Sequence, residues 1–230
     1  MFFDPLYFVF ALPALALAMY AQWRVRSTYG KFSKVANAYG LTGAEVARSL
    51  LDAAGLHDVA IERVPGDLTD HYDPMARVVR LSDSNYASYS VAALGVTAHE
   101  VGHAIQHATA YGAMRLRHSL VQVAGIGSNF GPYLFLAGFF INIFELALLG
   151  VVLFGAAALF AIVTLPVEFN ASNRAMALLS DHGLVTGDDA GMAKQVLNAA
   201  ALTYVAGALQ AVSLLAYYAL QLSGMRRSDD

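Results

Sequence analysis

His99-Glu100-Val101-Gly102-His103 is the stretch on which the reading of this chain turns. The pattern around it is helical from about Ser90 through Thr109. Residues four apart on a helix share a face one turn apart, so both imidazoles can reach a single tetrahedral zinc. Glu100 then sits beside the open coordination position, where it can take a proton from a water and later pass it to a leaving amine. The chain has only seven His and five Glu, so the ordered triplet is not a by-product of composition. The alternative is a polar helix face packed on a bundle. Gly102, inside the same helix, costs about 1 kcal/mol relative to Ala. Close approach by a strand or a substrate, or plain helix–helix packing, would account for it.

Outside this stretch the chain is apolar. Hydrophobic residues make up 57% and charged residues 13%, against roughly 25% charged in ordinary soluble domains. So few charges cannot solvate a globular surface, which points to a membrane. The net charge of −3 offers no basic surface for nucleic acid. With no cysteine, a zinc site has only His and carboxylate side chains to draw on.

Four segments are candidates for crossing the bilayer, which takes about 20 apolar residues. They run from about Leu6 to Trp23, Leu120 to Ile143, Leu146 to Val167 and Ala199 to Leu222. The first opens Met1-Phe2-Phe3-Asp4 without a basic residue, and Arg24 and Arg26 follow it. That pattern suits an uncleaved anchor better than a signal peptide. The second and third, joined by a short link with Asn142 and Glu145, read as a helical hairpin. The fourth carries Asn198, Thr203, Gln210 and Gln221, and a helix lying against the bundle is its alternative. Ten of the fourteen Lys and Arg lie from Arg24 to Arg117, between the first two segments. The excess of positive charge on cytoplasmic loops places this region on the cytoplasmic side of the plasma (inner) membrane. Arg174 and Lys194 then fall on the same side; Arg226 and Arg227 agree only if the fourth segment does not cross. The chain thus divides into 1–23 (anchor), 24–118 (polar region with the His-Glu helix), 119–167 (hairpin), 168–198 (helical segment), 199–222 (fourth span) and 223–230 (polar tail).

A catalytic zinc usually has a third protein ligand. His107 lies two helical turns, about 12 Å, from His99, and Ala104-Ile105-Gln106 contains no glycine to turn the chain. A supporting polar role suits it better. Glu168 stands where the third segment leaves the membrane, and the hairpin argument brings it to the side of His103. A carboxylate at that depth is a functional hypothesis by default. Glu145 is its competitor, but the hairpin puts it across the membrane.

Within 24–118, Thr42 with Glu45 forms a capping-box pattern. Val46, Leu50 and Leu51 supply an apolar face, and Gly55 a stop. Val59–Val64 and Arg77–Leu81 read as strands, Asp73-Pro74 as a turn, and Ser82 or Ser84 as the start of the next helix. Neither repeats nor low-complexity stretches occur.

Several segments together resemble the YugP-type neutral zinc metallopeptidases of bacterial membranes. They are His99–Gln106, Leu68-Thr69-Asp70-His71-Tyr72-Asp73-Pro74, Glu168-Phe169-Asn170-Ala171-Ser172 and Ala200–Ala206. The likeness covers nearly the whole chain, and the Asp-His-Tyr-Asp-Pro segment is its most specific part. A looser likeness joins the chain to membrane gluzincins such as the heat-shock membrane peptidase and the prenyl-protein peptidase. Those carry an Asp four residues after the Glu ligand, where this chain has Ser172, so the support of the ligands must differ; Asn173 is one compensating candidate.

The resemblance implies a mainly α integral membrane protein: about four transmembrane helices with a small α+β, zincin-like catalytic domain. It further implies a zinc-dependent endopeptidase with one Zn2+ per chain, held by His99, His103 and Glu168, and Glu100 as general base. A second donor should stabilise the oxyanion. His71, Tyr72, His182 and Tyr204 are candidates, with Tyr204 and His71 chosen. The strand Arg77–Leu81 is the expected edge for an extended substrate. The partners expected are a polypeptide substrate, on membrane or membrane-associated proteins, and the lipid bilayer; nothing specifies an oligomeric state. The competing readings are a non-proteolytic membrane protein with a structural zinc and an integral membrane transporter of ions or small solutes.

Overall fold

The computed structural model describes residues 4–228; positions 1–3, at the start of the expected anchor, and 229–230, in the expected tail, lie outside the described residues. The chain forms α1 (Pro5–Phe32), α2 (Gly43–Ala53), β1 (Ala60–Val64), β2 (His71–Asp73), β3 (Val78–Ser82), α3 (Asp83–Tyr86), α4 (Val91–Ala108), α5 (Gly112–Phe140), α6 (Phe144–Asp181) and α7 (Gly187–Ser228). It is mostly helical with one small sheet. Two compact units result, one of Gln22–Met114 with Val167–Leu202 and the other of the remaining described residues.

The first unit is built around α4. Thr42 caps α2 through the reciprocal box with Glu45, and Gly55 leaves the helix at φ 71°, a left-handed conformation that suits glycine. Val46, Leu50 and Leu51 of α2 then pack with Leu81 of β3 and with Leu94, Ala98 and Val101 of α4. Burying each such leucine is worth about 1.5–3 kcal/mol. Ser90 caps α4 by accepting from the Ala93 amide. Val167, Ala175 and Leu179 of α6 and Ala193 and Leu197 of α7 complete this core.

The sheet has the order β1-β3-β2, with β1 parallel and β2 antiparallel to β3. The strand expected to offer an open edge, Arg77–Leu81, is therefore the central one, hydrogen-bonded on both sides, and β1 and β2 are the edges. Only a turn was expected at Asp73-Pro74, but His71–Asp73 is a strand. Two carboxylates hold it in place. Asp70 accepts from the Ser82 amide and hydroxyl, each at 2.8 Å, and from Asn85 Nδ2 at 2.7 Å. Asp73 accepts from the Met75 and Ala76 amides and from Arg80 at 2.7 Å. The Asp-His-Tyr-Asp-Pro segment is thus in large part scaffold. Ser82 and Asn85 are fully buried. Asp70→Ala strands the Ser82 amide and Asn85 Nδ2, while the Ser82 hydroxyl keeps Ser84, and is expected to destabilise the fold by roughly 2–6 kcal/mol, at about 1–3 kcal/mol per orphaned group. Thermal unfolding in detergent measures this.

The second unit contains stretches of α1, α5, α6 and α7. These four helices are long and apolar enough to cross a membrane. Val9, Met19, Phe130, Tyr133 and Val152 are each more than half exposed, as lipid-facing side chains would be. The α5–α6 hairpin turns at Asn142, φ 56°. Its helices meet backbone to backbone: a Cβ on Gly131 would lie 2.9 Å from the Gly150 carbonyl oxygen, and one on Gly138 would overlap the Ala147 amide. Phe135, Phe154 and Tyr218 pack beside this seam.

α6 does not stop at Val167, as the expected span did. It continues through Pro166 to Asp181, and so carries Glu168 in mid-helix rather than at a helix end.

Candidate metal centre

α4 and α6 supply the titratable groups, all within the first unit. His99 and His103, one turn apart on α4, stand with ring centroids 4.7 Å apart and planes at 86°. From α6, 69 residues away in sequence, Glu168 brings Oε2 to 3.2 Å from His99 Nε2 and 3.5 Å from His103 Nε2. Glu168 is 2% exposed. These three residues form a group able to hold a metal ion.

The approach that allows this convergence runs through Gly102. A Cβ there would lie 2.7 Å from the Ala171 carbonyl oxygen and 3.3 Å from its Cα. Of the reasons considered for this glycine, helix–helix packing is the one the structure shows, against the turn of α6 that follows Glu168. Gly102→Ala is expected to push α6 away, cost about 1–3 kcal/mol as an overpacked site, and loosen metal binding. Gly95→Ala is the control: its Cβ would meet Ala193 at an ordinary 3.4 Å. It should be neutral or slightly stabilising, and metal titration with thermal unfolding separates the two variants.

The far nitrogens of both rings are also engaged. His103 Nδ1 lies 3.0 Å from Gln106 Oε1, and Gln106 Nε2 donates to the Val167 carbonyl at 2.8 Å and to Asn170 Oδ1 at 2.9 Å. Arg174 Nε donates to the same Asn170 oxygen at 2.8 Å. His99 Nδ1 faces Ser172 Oγ at 3.2 Å. The support for His99 therefore comes from Ser172 itself, and Asn173 is exposed.

The donor set fits a zinc ion. The Val167 carbonyl can only accept, so Gln106 must turn its NH2 toward it and its oxygen toward His103. That oxygen can only accept in turn, which places the hydrogen of His103 on Nδ1. His103 Nε2 then faces the Glu168 carboxylate 3.5 Å away, and the pair calls for a cation between them, a proton or, in its place, a metal ion. Burial pushes the His103 imidazole down, but its hydrogen bond to Glu168 and the charges of Glu100 and Glu168 more than offset this and hold it above the usual value. Ligand atoms roughly 2.0–2.1 Å from a tetrahedral zinc lie about 3.3–3.4 Å from one another; the two nitrogen–oxygen separations here, 3.2 and 3.5 Å, bracket that spacing, and all three ligand atoms lie within 4.8 Å of one another.

Glu100 is 8% exposed and is outside the metal-holding group. His107 is exposed, and its Nδ1 meets the Tyr72 hydroxyl at 2.9 Å, a supporting contact rather than a place in the cluster. That bond also accounts for Tyr72, buried on β2. His71 is exposed, with Nδ1 2.9 Å from the Thr69 carbonyl oxygen, and His182 is exposed just after α6. Tyr204, 37% exposed on α7, belongs to the unit that does not hold the cluster. Gln106, Asn170 and Arg174 went unassigned at the level of sequence. The signal for Gln106 was its position three residues after His103, on the same helix face.

Two His on a His-Glu-x-x-His helix with a carboxylate from a second helix match the ligand pattern of zinc metallopeptidases, and the chain belongs to the family described as "Putative neutral zinc metallopeptidase", whose family model matches residues 7–223. Among curated proteins it is similar to "Putative membrane protease YugP" of Bacillus subtilis (strain 168), at 46% identity over 220 residues, 95% of this chain and 98% of that one. No solved structure matches.

Proposed function

We propose that the chain is a membrane-embedded zinc endopeptidase in which His99, His103 and Glu168 hold one zinc and Glu100 is the general base. The observation that carries this reading is the convergence of Glu168 Oε2 on the two Nε2 atoms. Zinc, when bound there, supplies a Lewis acid that polarises a peptide carbonyl and brings the pKa of a water toward 7. Glu100 follows His99 directly in α4, and no group among the described residues hydrogen-bonds its carboxylate. It is therefore available to accept the proton of the attacking water and deliver it to the departing amine. A closed structural zinc would have no use for such a carboxylate. His71 is the proposed donor to the carbonyl oxygen.

The zincin-like character of the first unit belongs to the same proposal. An extended peptide would add to the free edge of β2, which the Tyr72–His107 bond ties to α4, since β3 has none. The concentration of Lys and Arg in 24–118 favours a cytoplasmic active site in a multi-pass plasma-membrane protein. Substrates on or in the same membrane follow from that placement.

The test is zinc analysis of the purified protein together with hydrolysis of an unfolded polypeptide in detergent. About one zinc per chain is expected, retained by His107→Ala. Chelation should abolish hydrolysis and added zinc restore it. Full hydrolysis by the stripped protein would overturn the reading.

A further inference from the structure

We propose that Gln106 and Ser172 are positioning residues that aim the two histidines at the metal position with neutral oxygens, and that Gln106 couples the placement of His103 to that of Glu168. This rests on the zinc reading above. Metal-bound histidines generally donate their second N–H to a fixed acceptor, commonly a carboxylate, and such partners set ring orientation and ligand basicity. With zinc on both Nε2 atoms each Nδ1 carries the hydrogen, and the oxygens that accept it are uncharged: Gln106 Oε1 for His103 and Ser172 Oγ for His99.

Gln106 is fully buried, and its amide has no freedom to flip. Both hydrogens of Nε2 are committed, one to the Val167 carbonyl and one to Asn170 Oδ1, and Arg174 pins Asn170 from the other side. Val167 directly precedes Glu168. One side chain therefore sets the imidazole of one ligand and the backbone beside another, across 61 residues of sequence. Ser172 plays the matching part on α6. It lies four residues after Glu168, on the same helix face, so α6 offers a ligand and a ring-orienting hydroxyl together.

The charge consequence follows directly. Glu168 and Glu100 are the two carboxylates of the site, and together they balance the two positive charges of zinc. A carboxylate behind either imidazole would make that ligand more basic, hold the metal more tightly and make it less electrophilic. Neutral acceptors give orientation without that added charge.

The experiment is zinc affinity by competition with a chromophoric chelator, on the full-length protein in detergent, for wild type, Gln106→Leu, Ser172→Ala and Ser172→Asp. Folding is checked by circular dichroism. Gln106→Leu and Ser172→Ala are expected to bind zinc about 10–100-fold more weakly, and Ser172→Asp more tightly than wild type. Nitrogen-15 NMR of the zinc-loaded wild type should show both rings protonated at Nδ1 and ligated through Nε2. Should Gln106→Leu fail to fold, the two Ser172 variants and the NMR decide. Affinities within twofold of wild type in folded Gln106→Leu and Ser172→Ala, or ligation through Nδ1, overturn the proposal while the zinc site stands. A wild type that binds no zinc overturns the site and the proposal together.

Discussion

Glu100→Gln is expected to lower peptide hydrolysis by about 10²–10⁴-fold, the usual contribution of a positioned general base, while the protein keeps its zinc. The substitution preserves shape, and it removes a carboxylate that no described protein group hydrogen-bonds. Folding should therefore change little. An amide cannot accept a proton from water at neutral pH, so the chemical step alone should suffer. The loss is expected in kcat, with KM near the wild-type value, because Glu100 is proposed to act on the attacking water rather than to bind the peptide. A variant that keeps both zinc and full activity would remove Glu100 from the mechanism. One that loses zinc would make Glu100 a ligand instead.

Glu168→Ala carries the second large effect, on metal rather than on rate. Apparent binding free energies of structural zinc sites run about 10–16 kcal/mol over four ligands, or roughly 3–4 kcal/mol each. Removing one of three protein ligands here should weaken zinc on the order of 10²–10³-fold and leave the purified variant largely without metal. The argument depends on burial. Glu168 is 2% exposed, so bulk solvent cannot readily substitute for it, and no other carboxylate is grouped with the two imidazoles among the described residues. Elemental analysis of Glu168→Ala beside Glu100→Gln separates the roles: zinc absent from the first and present in the second. Zinc at the wild-type level in Glu168→Ala would show that the metal is held elsewhere, and the convergence of the three groups would need another explanation.

Much of the local structure was legible because both partners of each interaction lie within a few residues. His99 and His103 share a helix face through the helical repeat alone. Thr42 and Glu45 announce the start of α2, Gly55 its end, and Asn142 the hairpin turn. The four apolar helices follow from composition and length, without any knowledge of packing. Glu168 was reachable as a candidate because a carboxylate next to an apolar segment of that length is conspicuous.

What required the tertiary structure was every pairing across long stretches of chain. β2 is three residues long, and its place at an edge comes from Asp70 reaching Ser82 and Asn85 and from Asp73 reaching Arg80. Without those bonds in view, Asp73-Pro74 reads only as a turn, and β3 takes the edge that belongs to β2. Gly102 alone says that something comes close; that it is the Ala171 carbonyl depends on how α6 lies on α4. Gln106 and Ser172 carry no motif of their own, since a glutamine or a serine orients a histidine only when packing delivers it. The helical repeat and the caps act over one turn and are written in adjacent residues. The 3.2 Å between His99 and Glu168 spans 69 residues, and only the packing of two helices closes that distance.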